Sequence, residues 1–181
     1  MPGPHLNLSA YAFAALDDLD SRRERLYRHG LECSLKGTVL LAGEGINLFV
    51  AGAERGVRDW LARLREDPPW AALDAKESWS DTPPFRHLRV KVKREIIRMD
   101  QPQLQPGRGR APAVDAATLA RWLDAGHDDA GREIAVLDTR NGFEVDAGAF
   151  DGAIDWRRNR FSAFPAALAA PRGDLEGRPV L

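Results

Sequence analysis

At 181 residues, 44% hydrophobic and 29% charged, the chain has the composition of a folded globular protein, long enough for one large domain or two small ones. A single cysteine excludes an internal disulfide framework and a cysteine-based zinc site. The histidines His5, His29, His87 and His127 have no ligand spacing, so no metal is expected. The net charge of −1 gives no global pull toward nucleic acid, so any such binding must come from a local patch; with no membrane-length apolar run and no signal peptide, a cytoplasmic protein is expected.

Leu6–Phe13 reads as a first strand, with Leu8, Ala10 and Ala12 on one face and Ser9, Tyr11 and Phe13 on the other. Asp17 or Asp18 then opens a helix with a rough stripe of Leu16, Leu19, Arg23, Leu26 and Tyr27, and Gly30 is the natural residue to end it. Thr38–Ala42 and Ile46–Ala51 are apolar arms around Gly43-Glu44-Gly45. They read as a hairpin too apolar to be exposed on both faces, hence the central pair of a sheet. Val57, Trp60, Leu61 and Leu64 recur at helical spacing, and Asp67-Pro68-Pro69 stops that helix. Lys76-Glu77-Ser78-Trp79-Ser80 reads as a loop. It leads into a half-buried strand within Arg86–Met99, where Leu88, Val90 and Val92 alternate with Arg89, Lys91 and Lys93 until the pattern slips at Arg94.

The order β-α-β-β-α-β is the ferredoxin-like plan of an α+β domain over residues 1–100, with both helices on one sheet face and the other face either open or covered by something else. Residues 101–112 fall in a stretch rich in proline and glycine that reads as a linker, with Arg108 and Arg110 either solvated or touching a polyanion. Residues 113–181 restart as α/β. Asp115 caps a helix, and Ile134–Leu137 is an apolar strand ending in Asp138-Thr139-Arg140, at the strand end where open α/β sheets place their sites. A short turn at Glu144, a return strand through Gly148–Ile154 and a helix marked by Phe161, Phe164 and Leu168 follow. Arg178–Leu181 begins a strand with no length to pair, so this half is expected to be cut in mid-sheet.

The segments KGTVLLAGEGIN, KESWSDTPPF, RVKVKREI, DTRNGFEV and GAFDGAI, in this order, closely resemble the rhodanese-related tRNA uridine hydroxylase family from about Leu6 to the last residue. The resemblance implies an acylphosphatase-like ferredoxin domain followed by the incomplete start of a rhodanese domain. It implies an oxidoreductase of tRNA modification that hydroxylates the wobble uridine at its 5-position. Its partner would be tRNA and its co-substrate molecular oxygen, with no cofactor evident. The family's catalytic cysteine would follow the strand begun at Arg178, so the chain is expected to be inactive alone, with Asp138 and Arg140 in supporting roles. Cys33 does not replace that cysteine, being read as a small buried hydrophobe of the first domain. The first domain also lacks the glycine-rich, arginine-ended phosphate loop of an acylphosphatase after strand one, so that activity is not expected.

The resemblance also moves Lys36, Glu44, Asn47, Lys76, Glu77 and Trp79 toward a substrate-facing cleft. For Glu44 and Asn47 plain turn chemistry stands beside it, as does packing at the domain edge for Trp79. Arg89, Lys91 and Lys93 either track tRNA phosphates or guard an exposed strand against pairing. Tyr11 and Phe49 either form an aromatic platform for bases or pack against the second domain. A rhodanese-type sulfurtransferase and a non-catalytic RNA- or protein-binding module are the alternative functions.

Overall fold

Alternating Leu6, Leu8 and Ala10 bury one face of β1 (His5–Phe13), and the first half of the molecule is built against that face. The computed structural model describes residues 4–97, 99, 101, 111–170 and 173–181, so Arg98, Arg108, Arg110 and most of the expected linker lie outside the described residues. Contacts divide the chain into two compact units, the first ending at Ile97 and the second reaching Leu181.

In the first unit, α1 (Leu19–Glu32), β2 (Lys36–Ala42), β3 (Gly45–Gly52), α2 (Glu54–Arg65), β4 (Lys76–Ser80) and β5 (Leu88–Val92) follow β1. The sheet order is β4-β1-β3-β2-β5, antiparallel except for the β2–β5 edge. Leu6, Leu8, Val39, Leu41, Ile46, Leu48 and Val50 meet Leu26 of α1 and all four residues of the expected α2 stripe, Val57, Trp60, Leu61 and Leu64. At about 25 cal/mol per Å² of apolar surface, that shared core is what holds both helices to one face.

The fourth ferredoxin strand is Lys76–Ser80, which sequence reading takes for a loop. KESWS carries no apolar alternation because it is an edge strand, held by its backbone against β1 with four of its five residues exposed. The basic segment is instead a fifth strand on the opposite edge, parallel to β2, and it stops at Val92. Residues 81–87 therefore cross the whole sheet, four strand spacings or ~19 Å, and Phe85 lands edge-on against Phe49 at 4.9 Å.

Two glycines have different roles from those expected. Gly30 lies inside α1 rather than ending it. A side chain there would begin 2.5 Å from Leu88 Cδ2, so its absence lets β5 approach the helix. The left-handed step after the helix falls to Ser34, at φ 55°. At Gly45, φ is 152° and a Cβ would stand 2.1 Å from the Ala12 carbonyl oxygen, so glycine is required by the contact of β3 with β1.

In the second unit Asp115 caps α3 (Ala116–Ala125) by accepting from the N–H groups of Ala117 and Thr118, both at 3.0 Å, and Gly126 ends it at φ 74°. β6 (Leu137–Asp138) pairs in parallel with β7 (Ile154–Asp155). Between and after these lie α4 (Gly142–Asp146) and α5 (Phe164–Ala169). The final residues correct the expectation that they have no length to pair. Ala135 N–H donates to the Pro179 carbonyl, Leu181 N–H to that of Ala135, and Leu137 N–H to that of Leu181, at 2.9, 2.8 and 2.9 Å. Three short parallel segments thus run through this unit, with 134–138 central. Among the described residues no helix is long and apolar enough to cross a membrane.

Candidate nucleic-acid interface

The pleat that turns Leu6, Leu8 and Ala10 toward the helices turns Ser9 and Tyr11 away from them, and strand register extends that second face across the sheet. One row runs Lys76, Ser9, Phe49, Thr38, Arg89; the next runs Tyr11, Asn47, Leu40, Lys91. Lys36 stands opposite Ala51 two residues further along, and Lys93 follows Lys91 in the same alternation just past β5. No Asp or Glu occupies this face on any of the five strands. Among the described residues, none of Lys36, Lys76, Arg89, Lys91 and Lys93 makes an ion pair, while the pairs elsewhere run through arginine.

The composition carries a signal for this face. Only four of the chain's 26 basic residues are lysines, and all four belong to this face. Two rings stand out of it near the centre, Tyr11 at 60% exposure and Phe49 at 43%. Cations without carboxylate partners beside exposed aromatics suit a polyanion that also carries planar groups.

The structure does not bring every expected site residue to this face. Glu77 points to the helix side, where Arg58 of α2 holds both its oxygens at 3.0 and 3.2 Å, and Trp79 stands opposite Leu6 on that same side. Glu44, at the hairpin tip, acts as a clasp. Its carboxylate accepts from the Ile96 N–H at 2.8 Å and its carbonyl from Ala14 N–H, while Gly43 accepts from Leu16 N–H. The N–H groups of Ala14 and Leu16, just after strand one, are thereby occupied and unavailable to an incoming phosphate.

In the second unit Asp138 and Arg140 are brought together at the end of β6. Arg140 Nη2 donates to Asp138 at 2.7 Å and to the Gly148 carbonyl at 2.6 Å, and the Arg140 backbone N–H reaches the same carboxylate at 3.0 Å. These hydrogen bonds from Arg140 hold the Asp138 carboxyl below its ordinary range. Glu144 accepts from the backbone and side chain of Asn141 at 3.0 and 2.8 Å, closing a capping box on α4. A cavity of about 830 Å³ opens beside this corner, lined mainly by apolar groups such as Val136, Leu137, Phe150 and Leu181. Cys33 is partly buried at the end of α1, and burial pushes its thiol up, away from the thiolate a nucleophile needs. Among the described residues no group of three His, Cys, Asp or Glu is placed to hold a metal ion.

Residues 5–96 match the family described as the UPF0176 acylphosphatase like domain. Over 176 residues the chain is 59% identical to a tRNA uridine(34) hydroxylase of Variovorax paradoxus, covering 97% of this chain and 67% of that protein. A tRNA uridine(34) hydroxylase of Bordetella petrii is 56% identical over 176 residues, covering 97% of this chain and 70% of its own. The chain thus spans about two thirds of the length of these relatives. Among solved structures, an acylphosphatase from Coxiella burnetii matches at 17% identity with a TM-score of 0.37, over 50% of this chain and 94% of that one. The BLUF protein BlrB matches at 18% with a TM-score of 0.45, over 70% of this chain and 99% of its own.

Proposed function

The chain belongs to the tRNA uridine(34) hydroxylase family, and from that membership we propose that it serves in 5-hydroxylation of the wobble uridine of tRNA, with molecular oxygen as co-substrate. The observation that carries this reading is identity of 59% maintained over 97% of the chain, which spans both compact units and every motif discussed above. The first unit is the tRNA-contacting part. Its acid-free face sets five cations where a polyphosphate backbone can displace their counterions. The second unit is the opening of a rhodanese-like domain, in which Arg140 ties Asp138 and the Gly148 carbonyl into one rigid corner at the carboxyl end of β6. These residues position the site; no step of the chemistry is assigned to them.

The test is nucleoside mass spectrometry of tRNA from cells in which the coding sequence is deleted, then restored. Deletion should lower 5-hydroxyuridine-derived nucleosides at position 34. Restoration with the gene's complete reading frame should bring them back, and restoration with that frame carrying Arg89→Ala/Lys91→Ala should do so less well. Unchanged modification after deletion refutes the proposal.

A further inference from the structure

We propose that the acid-free face of the first unit is a stacking platform for unpaired RNA bases, with Tyr11 and Phe49 as the stacking rings, Asn47 meeting a base edge and the lysines holding the flanking phosphates. The inference deepens the tRNA reading above and rests on it. Tyr11 lies on β1 and Phe49 on β3, two of the three inner strands, which pair directly; Tyr11 is opposite Asn47 and Phe49 is opposite Ser9. The two rings are thus diagonal neighbours on one face, within reach of consecutive splayed nucleotides.

Three further observations favour a single strand over other occupants. Both rings are exposed on a face where the small polar residues Ser9, Thr38 and Asn47 stand directly beside them or diagonal to them. Phe85 packs its edge to Phe49 at 4.9 Å and 84°, which fixes the Phe49 ring from one side and leaves the rest open. The Asn47 amide is half-buried between Tyr11 and Leu40 and engages no other side chain among the described residues, leaving a donor and an acceptor beside the rings. A duplex keeps its bases inside and offers only phosphates and grooves, so it would use the lysines and leave the rings idle. An acidic peptide would likewise answer the charge alone.

The experiment uses the full 181-residue chain and three probes: a heptauridine RNA with 2-aminopurine at its centre, a 12-base-pair RNA duplex and a heptaglutamate peptide. The single strand should bind best, with its fluorophore quenched on binding. Phe49→Leu and Tyr11→Leu should each weaken it about tenfold, within the range of one lost base–aromatic stack, and Phe49→Trp should restore affinity. The slope of binding against salt should stay at the wild-type value in all three variants, because the lysines are untouched. Both rings are exposed, and an unaltered circular dichroism spectrum will show that the variants fold. Single-strand binding that keeps its salt slope but is indifferent to both rings overturns the stacking platform and leaves the tRNA reading standing. Equal binding of the duplex or of the peptide also overturns it. Failure of the native chain to bind any RNA removes the tRNA contact on which the platform rests.

Discussion

Replacing Arg89 and Lys91 with alanine should change the salt dependence of tRNA binding by a predictable amount. The two residues stand side by side on β5, exposed, opposite Thr38 and Leu40 of β2, and among the described residues neither has a carboxylate partner. Each phosphate neutralised contributes ~0.7 to ~0.9 to the slope of log affinity against log salt. Losing two contacts should therefore flatten the slope by about 1.4 to 1.8. With the non-ionic part of binding unchanged, that is a loss of about 25- to 60-fold in affinity at 0.1 M salt, or roughly 2 kcal/mol. Fluorescence anisotropy of labelled tRNA, titrated at four salt concentrations, reads both quantities. Arg28→Ala/Arg55→Ala removes two exposed arginines from the helices on the other side and should leave the slope as it was. An unchanged slope in the β5 variant, or equal flattening in both, refutes the assignment of the phosphate contact to this face.

Gly45→Ala should destabilise the first unit by about 3 kcal/mol or more, since its Cβ would start 2.1 Å from the Ala12 carbonyl oxygen; urea titration followed by tryptophan fluorescence measures it, and a loss under 1 kcal/mol would contradict the geometry. Glu44→Ala strands the Ile96 N–H and should lower stability by about 1.5 to 3 kcal/mol, whereas Glu44→Gln keeps an acceptor and should lose well under half of that in the same assay. In the second unit Asp128, Asp129, Asp138 and Asp146 are held below the ordinary carboxylate range by hydrogen bonds from arginines beside them, and Asp115 by hydrogen bonds from Thr118 and Ala117. A carboxyl lowered on folding stabilises the fold above its unfolded pKa of ~3.9 and loses that contribution as pH falls through the lowered value. Amide exchange should therefore show the second unit opening progressively as pH falls below about 4, and protection that stays constant on acidification would contradict it.

Burial on one side leaves a record in a chain, and what was legible follows from that. The period of Val57, Trp60, Leu61 and Leu64 comes from a helix pressed on a core, and the hairpin arms are apolar because the inner strands have covered faces. β4 pairs through its backbone along one edge, so KESWS carried no such record. The placing of Gly30 depends on Leu88, 58 residues away, and Glu44 on Ile96, 52 residues away; no local pattern encodes either contact. The candidate face was half visible. Alternation alone placed Arg89, Lys91 and Lys93 together and Tyr11 away from the core. Joining Lys36, Asn47 and Lys76 to them, and seating Phe49 diagonal to Tyr11, required the register of four strand pairs, and that register moves Glu77 and Trp79 to the other side. The confinement of lysine to one face was written in the composition, but only the register shows that those positions meet.

That confinement also makes the central claim directly measurable. Amine acetylation with an N-hydroxysuccinimide ester can reach side chains only at Lys36, Lys76, Lys91 and Lys93, so its rates report the proposed face and nothing on the opposite side of the sheet. With a free lysine peptide as internal reference, saturating tRNA should slow labelling at all four positions together, and 1 M salt should restore the rates. Labelling rates unmoved by saturating tRNA would show that it binds elsewhere.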